Sequence, residues 1–92
     1  MKIFKYNLMV MPEQVVYLPT ERGEILDVQV QNGNICFWIP IAYTCNRHEY
    51  VKFYFVGTGN ELAGMFAKKH IGTIQLDGYV WHIFINNTPS GE

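Results

Sequence analysis

The chain has 92 residues and a mass of 10.7 kDa, a size that suits one domain. Hydrophobic residues make up 49% and charged residues 16% of the sequence, which supplies a dense core and excludes a disordered or solvating acidic segment. A net charge of −1 argues against a protein that holds double-stranded DNA mainly through its phosphates. We expect a single domain over residues 1–92, ordered over about 2–85, with a flexible tail over 86–92.

The N-terminal residues do not resemble a secretory signal, because the apolar stretch after Lys5 is interrupted by Asn7 and stops at Pro12. The sequence contains no apolar run of the roughly eighteen residues that a membrane-spanning helix needs. Two cysteines, Cys36 and Cys45, are too few for a small secreted disulfide scaffold. These features predict a cytoplasmic protein with reduced thiols and no membrane contact.

The first two predicted elements are short strands. Apolar and polar residues alternate at the start of the chain, and this period of two predicts a half-buried strand that ends before Pro12. Its apolar positions are Phe4, Tyr6, Leu8 and Val10. A second strand is predicted from Gln14 to Leu18, closed by Pro19 and the turn-forming residues 20–23.

Asn32-Gly33 predicts a type I′ hairpin between residues 24–31 and 34–43, because both turn residues tolerate positive φ. Pro40 lacks an N–H for the ladder, so we expect the second strand of this hairpin to lie at a sheet edge or to bulge there. A two-residue loop places three apolar pairs on one face: Val30 with Ile35, Val28 with Phe37, and Leu26 with Ile39.

A polar loop is expected over residues 44–49, followed by a strand over 50–56 that is apolar enough to be covered on both faces. The glycines of residues 57–60 break that strand. Residues 61–69 are the one window compatible with a helix, and its interior Gly64 and short length leave helix and loop as open alternatives.

Asp77-Gly78 predicts a second hairpin, between residues 70–76 and 79–85. The expected pairs are Ile74 with Trp81, Gly72 with Ile83, Thr73 with His82, Ile71 with Phe84, and Gln75 with Val80. Six or seven strands built from hairpins predict an all-β fold, or a mostly β fold with one short helix, arranged as a small antiparallel barrel or sandwich.

Three segments carry a family resemblance: ILDVQVQNGNICFW (25–38), FVGTG (55–59) and IGTIQLDGYVWHIF (71–84). With the Lys5-Tyr6 opening, they resemble a family of small uncharacterised β-rich proteins of tailed phages and prophages. The family pattern often has His-Pro where this chain has Asn60-Glu61. The resemblance implies a viral accessory protein acting in the cytoplasm of an infected bacterial host, and it identifies no catalytic residue.

The sequence predicts neither a metal site nor an enzyme. Cys45 and His48 have the Cys-x-x-His spacing of one zinc knuckle, but a second knuckle is missing, so no metal or other cofactor is expected. Cys36 lies in mid-strand without a cationic neighbour and is interpreted as a small buried hydrophobe. His82 has no carboxylate partner in the predicted hairpin and is interpreted as a hydrogen-bonded, half-buried histidine.

A binding function is expected instead, and its candidate residues fall into three sets. The turn Gly57, Thr58, Gly59 and Asn60 could present N–H groups to an anion. Lys68 and Lys69 could lie near phosphates, and Trp38, Tyr54 and Trp81 could stack on bases. Tyr43 and Tyr79 add to a surplus of aromatic residues outside the main apolar stripes, which predicts self-association, with a dimer as the default.

Together these features lead us to expect a non-enzymatic phage protein that inhibits a bacterial anti-phage defence system. It would bind a defence effector protein, such as a CRISPR nuclease, or sequester the cyclic-nucleotide type of small molecule that activates one. Two alternatives remain: a virion or assembly component, and a module that binds single-stranded nucleic acid.

Overall fold

The computed structural model describes residues 1–61 and 68–86. Within these residues the chain forms seven antiparallel strands and no helix. The strands are β1 (Lys2–Leu8), β2 (Glu13–Pro19), β3 (Asp27–Gln31), β4 (Asn34–Ile41), β5 (His48–Gly57), β6 (Lys68–Leu76) and β7 (Tyr79–Asn86).

The seven strands form two sheets, which we call sheet A and sheet B. Sheet A has the order β1-β4-β3, and sheet B has the order β2-β5-β7-β6. β3 and β6 lie side by side and join the sheets along one side, whereas β1 and β2 are the edge strands of the other side. The prediction of an all-β antiparallel fold of six to seven strands is therefore confirmed, with a sandwich rather than a closed barrel. In the described part of the chain, no helix has the length and apolar character needed to span a bilayer.

The core lies between the two sheets because each strand buries alternate side chains on its inner face. Phe37 of sheet A and Phe53 of sheet B are both fully buried, and their ring centroids are 5.1 Å apart. Tyr6 stacks on Phe37, with ring centroids 5.4 Å apart. These rings connect the sheets at the centre of the molecule.

The first hairpin has the predicted turn and most of the predicted register. Val30 pairs with Ile35 and Val28 with Phe37, as expected. The prediction for Leu26 is wrong: β3 begins at Asp27, and the Leu26 side chain is 56% exposed. The Leu26 N–H donates to the Trp38 carbonyl, so two residues, 26 and 27, lie opposite Trp38 and the apolar alternation is lost at that point.

Pro40 does not mark an edge strand or a bulge, contrary to prediction. β4 is the central strand of sheet A, and Pro40 pairs with Ile3 of β1 in continuous register. The Pro40 carbonyl accepts the Gly23 N–H, so the backbone of Pro40 faces the β3 side of the sheet. Because β3 begins only at Asp27, Pro40 lies beyond its end, and no ladder bond is lost there.

The second hairpin also has its predicted turn, with one irregularity. Four expected pairs are present, but Phe84 pairs with His70 instead of Ile71. A bulge between His70 and Gly72 leaves Ile71 without a partner in the ladder. The bulge lies where β6 meets sheet A. Gly72 is so close to β3 that a Cβ atom added to it would be 3.0 Å from Cβ of Val28.

Several predicted boundaries also shift. β1 ends at Leu8, so Val10 lies outside the strand and is 49% exposed. β5 begins at His48, inside the predicted polar loop. Lys68 and Lys69 belong to β6, so a helix does not extend through them, and residues 62–67 of the helix window lie outside the described residues. β7 includes Asn86, and the rest of the predicted tail also lies outside the described residues.

Candidate functional site

A cleft of about 400 Å³ opens between the sheets at the end of the sandwich where β1 starts. Sheet A supplies one wall, the ends of β2 and β5 supply the other, and the loop between β4 and β5 forms the rim. The lining residues are Lys2, Phe4, Tyr6, Pro19, Ile41, Ala42, Tyr43, Cys45 and His48.

The sheet A wall arises from the inner-face row of β1. Leu8 is buried, Tyr6 is half-buried, and Phe4 is 45% exposed, so burial falls steadily toward the start of the strand. The row ends at Lys2, which is exposed and pairs with Ile41 of β4. The inner face of β1 therefore leaves the core and presents an aromatic ring and an ammonium group to the cleft.

The opposite wall is fixed by contacts among β2, β5 and the loop between β4 and β5. The Thr20 N–H donates to the Arg47 carbonyl at 2.9 Å, which extends the β2–β5 pairing past Pro19. Arg22 donates to the Pro19 carbonyl at 2.8 Å and lies 3.4 Å from the Glu49 carboxylate. This wall is thus held by several independent bonds before any ligand binds.

Cys45 ties the rim loop to the end of β2. Its sulfur accepts the Glu21 N–H at 3.4 Å, lies 3.7 Å from Oγ1 of Thr20, and donates to the Arg47 carbonyl at 3.2 Å. The Glu21 N–H donation lowers the pKa of the Cys45 thiol, because it stabilises the thiolate. Burial acts in the opposite direction and is the weaker effect. Cys45 thus holds the rim loop against the end of β2.

The side chains along the cleft favour an anion with a flat ring. Lys2 carries a positive charge and His48 an imidazole ring, whereas none of the nine lining residues carries a carboxylate. Phe4 and Tyr43 are exposed and offer ring faces for stacking. The His48 imidazole is itself stacked on Tyr17, with ring centroids 5.0 Å apart, so it is already oriented. The lining of the cleft therefore combines exposed ring faces with a positive charge.

None of the residues predicted to bind a ligand lines this cleft, although two pairs of them lie together: Tyr54 with Lys68, and Gly57 with Trp81. Tyr54 and Lys68 are brought together on the outer face of sheet B, with Nζ of Lys68 4.9 Å from the ring centroid. Tyr54 is only 8% exposed, and its hydroxyl donates to Asn86 at 3.3 Å, so it packs within the sheet more than it offers a stacking surface. Lys69 forms an ion pair with Glu24 at 2.8 Å.

The two tryptophans lie on different sheets. Trp38 is half-buried on the outer face of sheet A, beside Lys5 and Asp27. Trp81 is half-buried on the inner face of sheet B, where it packs against the core and lies 6.2 Å from Phe55. Because they lie on different sheets and on different faces, the two tryptophans of one chain cannot stack on the same ligand.

The turn of Gly57, Thr58, Gly59 and Asn60 uses two of its N–H groups internally. Thr58 donates to the Val80 carbonyl at 3.1 Å, and Asn60 donates to Gly57 at 3.0 Å. Both donors are thus engaged in holding the turn against β7. A bound anion would have to compete with these bonds.

Cys36 and His82 have the structural roles that the sequence predicted. Cys36 is 1% exposed, and its sulfur lies 3.6 Å from the Gln29 carbonyl. His82 is half-buried and contacts the hydroxyls of Thr58 at 2.8 Å and Thr73 at 3.0 Å. No group of three or more potential metal-ligating side chains occurs in residues 1–61 and 68–86.

Sequence reasoning missed the cleft because its walls come from four separated segments. Lys2, Phe4 and Tyr43 carry no motif, and they meet only through the long-range pairing of β1 with β4. One local signal is present in the sequence: Cys45 and His48 have the spacing of a zinc knuckle, and both side chains line the cleft.

The family comparison covers the whole chain. The model of a family described as a domain of unknown function, DUF7352, matches residues 1–92. The chain belongs to this family. Neither the curated proteins nor the solved structures that were searched provide a match.

Proposed function

We propose that this DUF7352 protein is a non-enzymatic binding protein that sequesters a small nucleotide-type signal in the cleft between its sheets. It would act as a phage accessory protein in the cytoplasm of an infected bacterium and inhibit the defence system that the signal activates. The observation that carries the proposal is the joint presence of exposed rings and a cationic side chain in one pre-formed cleft.

The size of the cleft supports a small ligand. Its volume of about 400 Å³ lies within the roughly 300–1,000 Å³ of ligand pockets. A wide, flat surface would favour a protein effector as the target instead. A nucleotide is a small ligand of this class, and it offers both a ring and a phosphate.

The chemistry of the walls supports the same ligand class. A base can stack on Phe4 or Tyr43, as bases do on aromatic side chains of nucleic-acid-binding proteins. A phosphate can then accept from the ammonium group of Lys2 and from the His48 imidazole. Sequestration needs only this binding, because holding the signal already withdraws it from its receptor.

The proposal is tested by calorimetric titration with a panel of mononucleotides, cyclic dinucleotides and cyclic oligonucleotides, with adenosine as the uncharged reference. We expect a phosphate-bearing member to bind and adenosine to bind much more weakly. Lys2→Gln should weaken binding about tenfold or more, because it removes a charge-assisted hydrogen bond. Lys5→Gln is the matched control, since Lys5 lies on the outer face of the same strand and contacts Gln31.

Stacking is tested separately. Tyr43→Ala should weaken binding about tenfold, because base stacking on an aromatic side chain contributes about 1–3 kcal/mol. Tyr79→Ala is the control: Tyr79 is similarly exposed, at 66% against 76%, but lies in the second hairpin, outside the cleft. Equal losses from Tyr43→Ala and Tyr79→Ala would contradict binding in the cleft.

The anti-defence role has its own test. A phage that lacks this gene should plate less efficiently on hosts that carry the relevant nucleotide-signalled defence, and a gene with Lys2→Gln should not rescue it. Equal plating on every defence-carrying host would remove the anti-defence role, whatever the titration shows.

A further inference from the structure

We propose that β2 is a dimerisation edge, at which two copies of this chain pair antiparallel and join their B sheets into one eight-stranded sheet. The inference is independent of the ligand in the cleft. It depends on the backbone pattern of β2, on the charges of the competing edge strand, and on the residues beside β2.

The free hydrogen-bonding groups of β2 can be assigned from its two ends. Phe55 donates to the Pro12 carbonyl and Thr20 donates to the Arg47 carbonyl, so Pro12 and Thr20 face β5 with their backbone groups. Hydrogen-bonded pairs alternate along an antiparallel ladder, so residues 14, 16 and 18 also face β5. The N–H and C=O groups of Glu13, Val15 and Tyr17 therefore point outward.

Pro19 is consistent with this assignment. It follows the same alternation as Glu13, Val15 and Tyr17, so its missing N–H falls on the outward side and costs no bond to β5. It also ends the stretch that can pair with another strand. The available edge is thus limited to residues 13–17.

β2 differs from β1, the other edge strand on the open side of the sandwich. β1 carries Lys2 and Lys5, and such charges protect edge strands from pairing. Residues 14–18 of β2 carry no charge. The nearest charged side chains, Glu13 and Lys52, neutralise each other in an ion pair of 3.1 Å. β2 therefore lacks the charges that would keep a second copy away.

A two-fold axis beside Val15 gives the register that uses every outward group. Val15 then lies opposite Val15 of the second copy, and Glu13 opposite Tyr17 of the second copy. Each of these three residue pairs can exchange two hydrogen bonds. A register centred on Val16 would make as many bonds in total, but it would place Pro19 opposite Glu13 and leave the Glu13 carbonyl without a donor. The register centred on Val15 is therefore the one that leaves no outward group of residues 13–17 unpaired.

The side chains around this axis complement one another. Val15 is 57%, Tyr17 54% and Tyr50 72% exposed, and the two tyrosine rings are 4.8 Å apart. Pairing would place the two Val15 side chains next to each other on the outer face of the joined sheet, with each Tyr17 beside Glu13 of the second copy. Glu13 is already paired with Lys52, and no like charges lie opposite each other across the axis. The edge is therefore complementary to itself in its hydrogen bonds and free of charge repulsion.

The test is analytical ultracentrifugation of the purified full chain over a wide concentration range. We expect the wild type to have twice the 10.7 kDa chain mass. Val15→Lys should raise the dissociation constant of the dimer at least about tenfold, because two lysines would face each other across the axis. Ile3→Lys is the matched control: Ile3 is similarly exposed, at 60%, but lies on β1. It should leave the dimer unchanged.

A charge swap tests the register itself and guards against a variant that merely unfolds. Copies with Val15→Lys and copies with Val15→Glu should each be weaker dimers, and an equimolar mixture should restore a heterodimer. A monomeric wild type at every concentration would overturn the proposal. So would equal weakening by Val15→Lys and Ile3→Lys, or a mixture no tighter than its components.

Discussion

The two hairpins of this protein have nearly identical turns but different strands. Asn32-Gly33 and Asp77-Gly78 adopt the same conformation, with φ values of 52° and 79° in the first turn and 51° and 82° in the second. In the first hairpin, the register set by the turn continues through all of β3. The second loses register at Ile71, where β6 meets sheet A. Turn chemistry therefore fixes the register near the turn, and packing between the sheets decides where that register ends.

The largest effect is expected from the contact that accompanies the bulge. A Cβ atom on Gly72 would lie 3.0 Å from Cβ and 3.2 Å from Cγ2 of Val28, which is buried and β-branched and so cannot rotate away easily. Gly72→Ala should lower the free energy of unfolding by about 1–3 kcal/mol through overpacking, as measured by urea denaturation.

A double-mutant cycle identifies the cause. Val28→Ala keeps the Cβ atom at 3.0 Å but removes the Cγ2 methyl group at 3.2 Å and frees the smaller side chain to shift, so Gly72→Ala should cost less in that background than in the wild type. Equal costs in the two backgrounds would show that the contact with the Val28 methyl groups is not the source of the destabilisation.

The next effect tests the similarity of the turns. Gly33→Ala and Gly78→Ala should each cost about 1–2 kcal/mol, because both glycines have positive φ and an added Cβ would meet no atom within 4 Å. The two costs should be equal within experimental error in the same denaturation assay. A clear difference between the two costs would show that the turns are not energetically equivalent.

The smallest effect concerns the ion pair that links the bulged strand to the residues before β3. The hydrogen bond from Lys69, and then its charge, lower the pKa of Glu24. Because the folded pKa is the lower one, the ion pair stabilises the protein above the unfolded pKa of the carboxyl group, and this contribution is lost as the pH falls through the folded value.

Glu24→Gln should therefore destabilise the protein slightly at neutral pH, and the difference from the wild type should vanish in acid and shrink in high salt. Thermal melts at several pH values provide the measurement. A difference that persists unchanged in acid would contradict an electrostatic origin.

The sequence predicted the features of this fold that depend on local chemistry. Both turns, most of each hairpin register and the strand over residues 50–56 follow from glycine positions and from alternating apolar residues. The exposed position of Leu26 could not be predicted. Leu26 is apolar and continues the alternation of the strand, and it turns outward only because of the backbone irregularity opposite Trp38.

The features that sequence reasoning missed depend on long-range pairing. The periodicity of the sequence does not indicate that β1 pairs with β4. The central position of β4, and the position of Pro40 where no ladder bond is lost, were therefore not predictable. The cleft depends on the same pairing, because it carries Lys2 and Phe4 to the rim residue Tyr43. The predicted binding residues were chosen for their type, and none of them lines the cleft: Trp38 lies on sheet A, and the others lie on sheet B or in the turn after β5.

Sequestration of a nucleotide can be tested by native mass spectrometry of the protein purified gently from bacterial cells, followed by denaturation of the same sample. We expect a retained small molecule with the mass of a nucleotide, released on denaturation, kept by Lys5→Gln and lost from Lys2→Gln. A ligand retained equally by both variants would contradict the cleft as its site. A ligand-free mass, with no binding when the nucleotide panel is added, would contradict the claim that the protein sequesters a nucleotide signal.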